Sequence, residues 1–95
     1  MQNTQLILQL KKCGKMLYQN REQEAYDAIN NILQDINREL QLVEECGQTK
    51  IRDMVLWAMQ ELITCYKLKD NLGLADLLYY AIPELVQLCD NMECV

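Results

Sequence analysis

Five cysteines are the residues of this chain best suited to chemistry, because a thiolate can attack an electrophile or bind a metal ion. They lie at positions 13, 46, 65, 89 and 94, and no two of them form a C-x-x-C pair. Since the chain has no histidine, only Lys12 beside Cys13 or Lys67 near Cys65 could stabilise a thiolate. An odd cysteine count without histidine argues against a disulfide framework and a zinc site. We therefore expect reduced thiols, three of them packed as small hydrophobic residues on helix faces.

Other catalytic chemistry is limited by residues that the chain lacks. Without histidine or serine, it has neither the nucleophile of histidine-phosphotransfer bundles nor the attachment site of acyl carrier proteins. No E-x-x-H pair supports a di-iron centre, and the glycines stand alone rather than in a phosphate-binding loop. The three arginines are at positions 21, 38 and 52, at helix starts or on polar faces, so a convergent anion site is not expected. These observations predict a protein that is not an enzyme and binds no cofactor or metal.

Composition limits the class of partner. The 95 residues are 51% hydrophobic and 24% charged, which is typical of a single globular domain, so we treat residues 1–95 as one helical domain. A net charge of -5 would repel nucleic acid. The opening MQNTQLILQL has no basic segment before its apolar run and no cleavage site, so we expect no signal peptide and a complete cytoplasmic protein.

The stretch from Ile51 to Leu68 is the element around which the others must be arranged. Twelve of its 18 residues are apolar, and at 100° per residue they surround most of the helix. Such a pattern predicts a buried helix, while its length and charges argue against a membrane span. We expect the rest of the chain, a second copy or a partner to cover it on at least two sides.

Three further helices are predicted. Asn3 or Thr4 begins a helix that ends near Tyr18, and Gly14 within it suggests that another backbone passes close by. Asn20 and Gln23 form a capping box before a second helix, which runs from about Arg21 to Glu45 and stops at Gly47. Thr49 is the predicted N-cap of the third helix. The fourth helix begins at Asp70 or Asn71 and frays from Glu93.

The predicted fold is all-α, a four-helix up-down-up-down bundle made of two αα-hairpins. The apolar stripe of the fourth helix continues past Pro83, so we expect proline to lie on the polar side and to kink this helix without ending it. A shift of 49 residues aligns the stripes of the two hairpins. Either an internal duplication or any two hairpins of similar length would produce that alignment, because 49 is seven heptads.

The segment LGLADLLYYAIPELVQL, residues 72–88, resembles the closing helix of small uncharacterised helical proteins of Gram-positive bacteria. More loosely, a short acidic helical bundle with surplus apolar surface is similar to flagellar export chaperones. That resemblance implies protein binding without catalysis.

The sequence is compatible with two functions. The first is a non-catalytic interaction module that binds a protein partner, or itself as a homodimer, through apolar surface on the third and fourth helices. The second is a bundle that holds a small apolar ligand in its core. For the first, we expect Trp57 and Leu68 on one flank of the third helix, Leu56 and Ile63 on the other, and Tyr79 and Tyr80 extending the surface near the kink. Trp57 is the predicted anchor, because large aromatic residues with a polar N–H are favoured at interfaces; its other interpretation is packing against the first or fourth helix.

Overall fold

The computed structural model describes residues 3–92, which are helical apart from short turns. The chain forms α1 (Thr4–Tyr18), α2 (Glu22–Glu45), α3 (Thr49–Leu68), and then a fourth helical stretch made of α4 (Asn71–Asp76), a π-helical segment (Leu77–Ala81) and α5 (Ile82–Asn91). The predicted all-α class with four helical stretches is confirmed for these residues. The up-down-up-down direction of the helices stays a prediction.

The three turns between the helical stretches are built in the same way. Each contains one residue with positive φ, namely Asn20 (61°), Gly47 (75°) and Lys69 (55°). The N–H of the following residue then bonds back to a carbonyl of the preceding helix, as in Arg21 to Met16 (2.8 Å), Gln48 to Val43 (3.3 Å) and Asp70 to Cys65 (2.9 Å). This is the Schellman motif, which satisfies carbonyls at a helix end. Because each turn is so short, helices that follow one another along the chain must pack together.

The caps agree only in part with the sequence prediction. Asn20 was expected to begin α2 through a capping box, but this is wrong, because its left-handed backbone closes α1 and Arg21 stands at the N-cap without a side-chain cap bond. Thr49 is the first residue of α3 rather than its cap. Asp70 is confirmed as a cap, since its Oδ1 accepts the N–H of Gly73 at 3.1 Å. The stop at Gly47 is also confirmed.

The first helix packs against both α2 and the fourth helical stretch, and α3 packs against the same two neighbours. The two ends of the described chain meet, because the side-chain amide of Asn3 donates to Oδ1 of Asp90 at 2.5 Å. Tyr18 at the other end of α1 donates to Asp76 of α4. The centre of the bundle is filled by fully buried leucines from three helical stretches: Leu10, Leu62, Leu74 and Leu78.

The backbone of the fourth helical stretch passes close to α1 at Gly14. A Cβ atom built on it would lie 3.1 Å from the carbonyl oxygen of Ala75 and 3.1 Å from the backbone nitrogen of Tyr79. The sequence prediction that another backbone passes close to Gly14 is confirmed. Glycine costs the helix about 1 kcal/mol relative to alanine, and the close packing explains why it is there.

The fourth helical stretch changes its hydrogen-bond pattern just before Pro83. The N–H of Ile82 bonds to the carbonyl of Leu77, five residues earlier, and the α-helical pattern resumes from Ile82. Such a π turn is wider than an α turn and therefore rotates the residues after it relative to a regular α-helix. This rotation explains why Pro83 is buried, so its predicted place on the polar side is wrong. The helix does continue through Pro83 as expected, and the kink stays a prediction.

The helical stretch Asn71–Asn91 is long enough to span a membrane, and an 18-residue window within it has a mean hydropathy of 1.2. In the structure, however, it contributes Leu74, Leu78 and Ile82 to the core. Helices at the centre of a soluble bundle have the same composition, so this stretch carries no membrane argument here.

Candidate functional site

The third helix has more exposed large hydrophobic residues than any other helical stretch of the described chain. Its buried residues are Val55, Ala58 and Leu62, whose spacings of three and four place them on one face of the helix. Six of the twelve large hydrophobic residues exposed within residues 3–92 lie on α3: Met54, Leu56, Trp57, Ile63, Tyr66 and Leu68. The chain's own helices therefore do not cover α3 as the sequence pattern predicts for a buried helix. Apolar surface of this kind marks interaction sites when it is contiguous.

An apolar groove lies between α3 and α5. It encloses about 400 Å³, and its lining residues are Asp53, Met54, Trp57, Ala81, Glu84, Leu85 and Leu88. Trp57 is 51% exposed, and Met54 and Leu88 are 42% and 43% exposed. Leu85 is buried and connects the groove to the core. The groove thus combines a well-packed base with large apolar side chains that water still reaches.

The helical period explains why these side chains meet. Met54 and Trp57 are three residues apart on α3, while Ala81, Leu85 and Leu88 follow one another at spacings of four and three on the other wall. Residues at these spacings share one helix face. The π turn is needed as well, because its rotation moves Leu88 out of the core-facing stripe to which a regular helix would assign it. Sequence reasoning therefore missed Met54 and Leu88 as groove residues.

The other predicted interaction residues do not join Trp57 in the groove. Leu56 and Ile63 are exposed on the flank of α3 away from it, and Leu68 is exposed at the end of that helix. Near this second flank, the ring of Tyr66 packs edge-on against Tyr26 of α2 at 5.2 Å, so α2 covers part of it. The expected alternative packing of Trp57 against a neighbouring helix is present only in part, since half of the side chain remains exposed.

Tyr79 and Tyr80 lie on the side of α1 rather than beside Trp57. The ring of Tyr79 packs against Tyr18 with a centroid distance of 6.1 Å, and the Nζ of Lys11 lies 5.8 Å from its centroid. Tyr80 contacts Tyr79 edge-on at 4.9 Å and is otherwise exposed. The structure therefore separates the six predicted residues into four places: the groove (Trp57), the far flank of α3 (Leu56 and Ile63), the end of α3 (Leu68) and this tyrosine cluster.

The charged side chains that line the groove are Asp53 and Glu84, both acidic. Arg52 donates to Oδ1 of Asp53 at 3.0 Å, which offsets part of that charge in an exposed position. Glu84 stands in the first turn of α5. Since the chain carries a net charge of -5, the rim of the groove is negative within a negative protein.

The three free cysteines among the described residues are poorly suited to nucleophilic chemistry. Burial raises the pKa of Cys13 and of Cys89 to about 11 each, so both are thiols at neutral pH. The Cys13 Sγ donates to the carbonyl of Ala25 at 3.4 Å rather than interacting with Lys12. Burial also raises the pKa of Cys65. A thiolate is needed for attack, and these environments disfavour it.

Cys46 is disulfide-bonded, so the expectation that all five cysteines are reduced is wrong for this residue. Disulfides are uncommon in the reducing cytosol. The reduced state was one premise of the cytoplasmic assignment, which stays a prediction. Cys94, in the segment that we expect to fray from Glu93, lies outside the described residues.

A small polar cluster at one end of the bundle was not foreseen from the sequence. Glu39 is only 9% exposed, although the sequence pattern of α2 predicts that this position faces solvent. Burial raises the pKa of Glu39 and the nearby Asp90 raises it further, while a hydrogen bond from Asn3 lowers it. Oδ2 of Asp90 is buried without a hydrogen-bond partner. Across residues 3–92, no group of three or more Cys, Asp or Glu side chains could hold a metal ion.

No family model, curated protein or solved structure matches this chain. The resemblance of residues 72–88 to the closing helix of small Gram-positive proteins stays a prediction.

Proposed function

We propose that this chain is a non-catalytic protein-binding module, and that the groove between α3 and α5 is its binding surface. The observation that carries the proposal is the half-exposed Trp57 beside Met54 and Leu88. Exposing large apolar side chains in one groove is unfavourable in water. Interfaces concentrate binding energy in such aromatic anchors. The bound protein is either a different chain or a second copy of this one.

The protonated thiols support the non-catalytic part of the proposal. With the pKa of Cys13 and Cys89 at about 11, neither supplies a nucleophile near neutral pH. The groove itself contains two carboxylates and no histidine or cysteine. Its mostly apolar lining favours binding.

The alternative, a small apolar ligand in the bundle core, has less support. The space within the core between Ile36, Val55 and Ile82 is about 10 Å³, roughly the volume that one water molecule needs. Ligand sites usually enclose roughly 300 to 1,000 Å³. Clefts that reach that size, including the groove (about 400 Å³) and a polar cleft beside Tyr26 and Tyr66 (about 780 Å³), lie open at the surface rather than in the core.

The test is native mass spectrometry of the protein purified from its own host, for the wild type, Trp57→Ala and Leu8→Ala. Leu8 is a matched control, because it is 59% exposed on α1, a helix that does not line the groove. We expect the wild type and Leu8→Ala to retain an additional polypeptide or to form a dimer, and Trp57→Ala to lose it. Sedimentation equilibrium then separates a dimer from a monomer of 11.2 kDa.

Stability must be measured alongside, because Trp57 is also partly packed. With about half of its roughly 200 Å² buried, its removal is expected to cost about 2 kcal/mol. A loss of roughly 3 to 5 kcal/mol would mark Trp57 as a core residue instead. The proposal is wrong if Trp57→Ala retains the same polypeptide or dimer as the control, and a retained small molecule would favour the alternative.

A further inference from the structure

We infer that the occupant of the groove is an amphipathic helix of a different protein, with basic residues beside its apolar stripe. This inference rests on the proposed function and adds the chemistry of the partner. It is drawn from the shape of the groove, from the charges of its lining and from the secondary structure available for pairing.

The groove favours a helix over other peptide conformations. Residues 3–92 form no β-strand, so the described part of the chain offers no sheet edge to which an extended peptide could add. A polyproline segment needs several aromatic side chains, and Trp57 is the aromatic residue of this groove. The walls are two neighbouring helices that present apolar side chains one turn apart. Such a groove receives the apolar stripe of a third helix at positions i, i+3 or i+4, and i+7.

The charges of the lining favour a basic partner over a second copy. Asp53 and Glu84 are the charged residues of the lining, and Arg52 offsets only Asp53. A two-fold dimer through the groove would place the acidic rims of two chains together, each chain with a net charge of -5. Like charges across an interface suppress binding, whereas lysine or arginine beside the apolar stripe of a partner would complement both carboxylates.

The probe is a synthetic amphipathic peptide of about 15 leucines and lysines in helical order, compared with a peptide in which every lysine is replaced by glutamate. Trp57 is the single tryptophan of the chain and lines the groove, so its fluorescence reports occupancy. We expect the leucine–lysine peptide to cause a saturable blue shift and the leucine–glutamate peptide to cause none. Circular dichroism of each variant checks that it is folded.

Variants that lack the two rim charges show whether these charges contribute to peptide binding. The double variant Asp53→Asn with Glu84→Gln is expected to weaken peptide binding about fivefold, as two exposed charge pairs would. Its matched control is Asp27→Asn with Glu44→Gln, which removes the same charge from exposed positions on α2, away from the groove. The control should bind the peptide within about twofold of the wild type.

The outcomes separate this inference from the proposed function. If both peptides shift the fluorescence equally, the groove binds helices but the basic partner is refuted. Equal weakening by the two double variants would show general attraction to an acidic protein, which also overturns the inference. A dimer in sedimentation that disappears in Trp57→Ala would mean that a second copy occupies the groove. If neither peptide shifts the fluorescence, the helical partner is refuted, and native mass spectrometry decides the proposed function independently.

Discussion

Replacing Gly14 with alanine is expected to destabilise this protein, although alanine is the better helix former. The added methyl group would lie 3.1 Å from three atoms of the fourth helical stretch: the carbonyl oxygen of Ala75, and the nitrogen and Cβ of Tyr79. These separations are about 0.4 to 0.9 Å shorter than the optimum for heavy atoms in contact. Two of the three atoms belong to the backbone, so only a movement of the whole fourth helical stretch would relieve them.

Two effects of known size compete at Gly14. Overpacking costs about 1 to 3 kcal/mol, and the gain in helix propensity is about 1 kcal/mol. We therefore expect Gly14→Ala to lower the free energy of unfolding by about 1 kcal/mol and at most about 2 kcal/mol. For a domain of this size, a loss of 1 kcal/mol corresponds to a fall in Tm of roughly 4 to 8 °C.

Urea denaturation followed by circular dichroism measures this change. The helix-propensity component can be measured separately from the difference between Gln9→Ala and Gln9→Gly, because Gln9 is exposed on the same helix. Subtracting that difference leaves the cost of the close contact. If Gly14→Ala is more stable than the wild type by the full propensity gain, the two helices do not approach as closely as described and the reasoning fails.

Two further predictions concern titratable groups. With their pKa at about 11, Cys13 and Cys89 should react with a maleimide only after unfolding. The half-buried Cys65 should be the first of these three thiols to react in the native protein. Rapid labelling of Cys13 in the native protein would contradict its burial. Because the pKa of Glu39 is raised in the folded state, folding takes up a proton there, and the free energy of unfolding should fall as pH rises from about 4 through the folded pKa. Glu39→Gln should remove this dependence of the free energy of unfolding on pH, and urea titrations at pH 7 should find it more stable than the wild type. A less stable variant would show that the folded protein favours the charged form of Glu39.

Much of the helical framework could be predicted from local signals. The spacing of apolar residues predicts the helices, Gly47 marks the end of α2 and Asp70 marks the start of α4. Each of these signals depends only on residues within about one helical turn. Asn20 was misassigned because the same residue type can cap a following helix or close a preceding one through a left-handed backbone. Only the packing of α1 against α2 decides between the two.

The candidate site was less predictable because it depends on tertiary structure. The sequence places Trp57 on one flank of α3, but it contains no signal for which flank a neighbouring helix covers. The position of Leu88 depends on the π turn before Pro83, and a regular 3.6-residue period assigns both Pro83 and Leu88 to the wrong face of the helix. The burial of Glu39 likewise results from α5 packing across one end of α2. The sequence pattern of α2 alone predicts that this position is exposed to solvent.

The packing of α1 against the fourth helical stretch has a consequence for synthesis on the ribosome. The hydrogen bond between Asn3 and Asp90 joins residues 87 positions apart. At about 5 to 20 residues per second, Asp90 is made about 4 to 17 s after Asn3. Throughout this interval, the face of α1 that will contact the fourth helical stretch has no cover from its own chain. One face of α1 can therefore be covered only after the fourth helical stretch has been made, and a chain that ends before that stretch keeps this apolar face exposed.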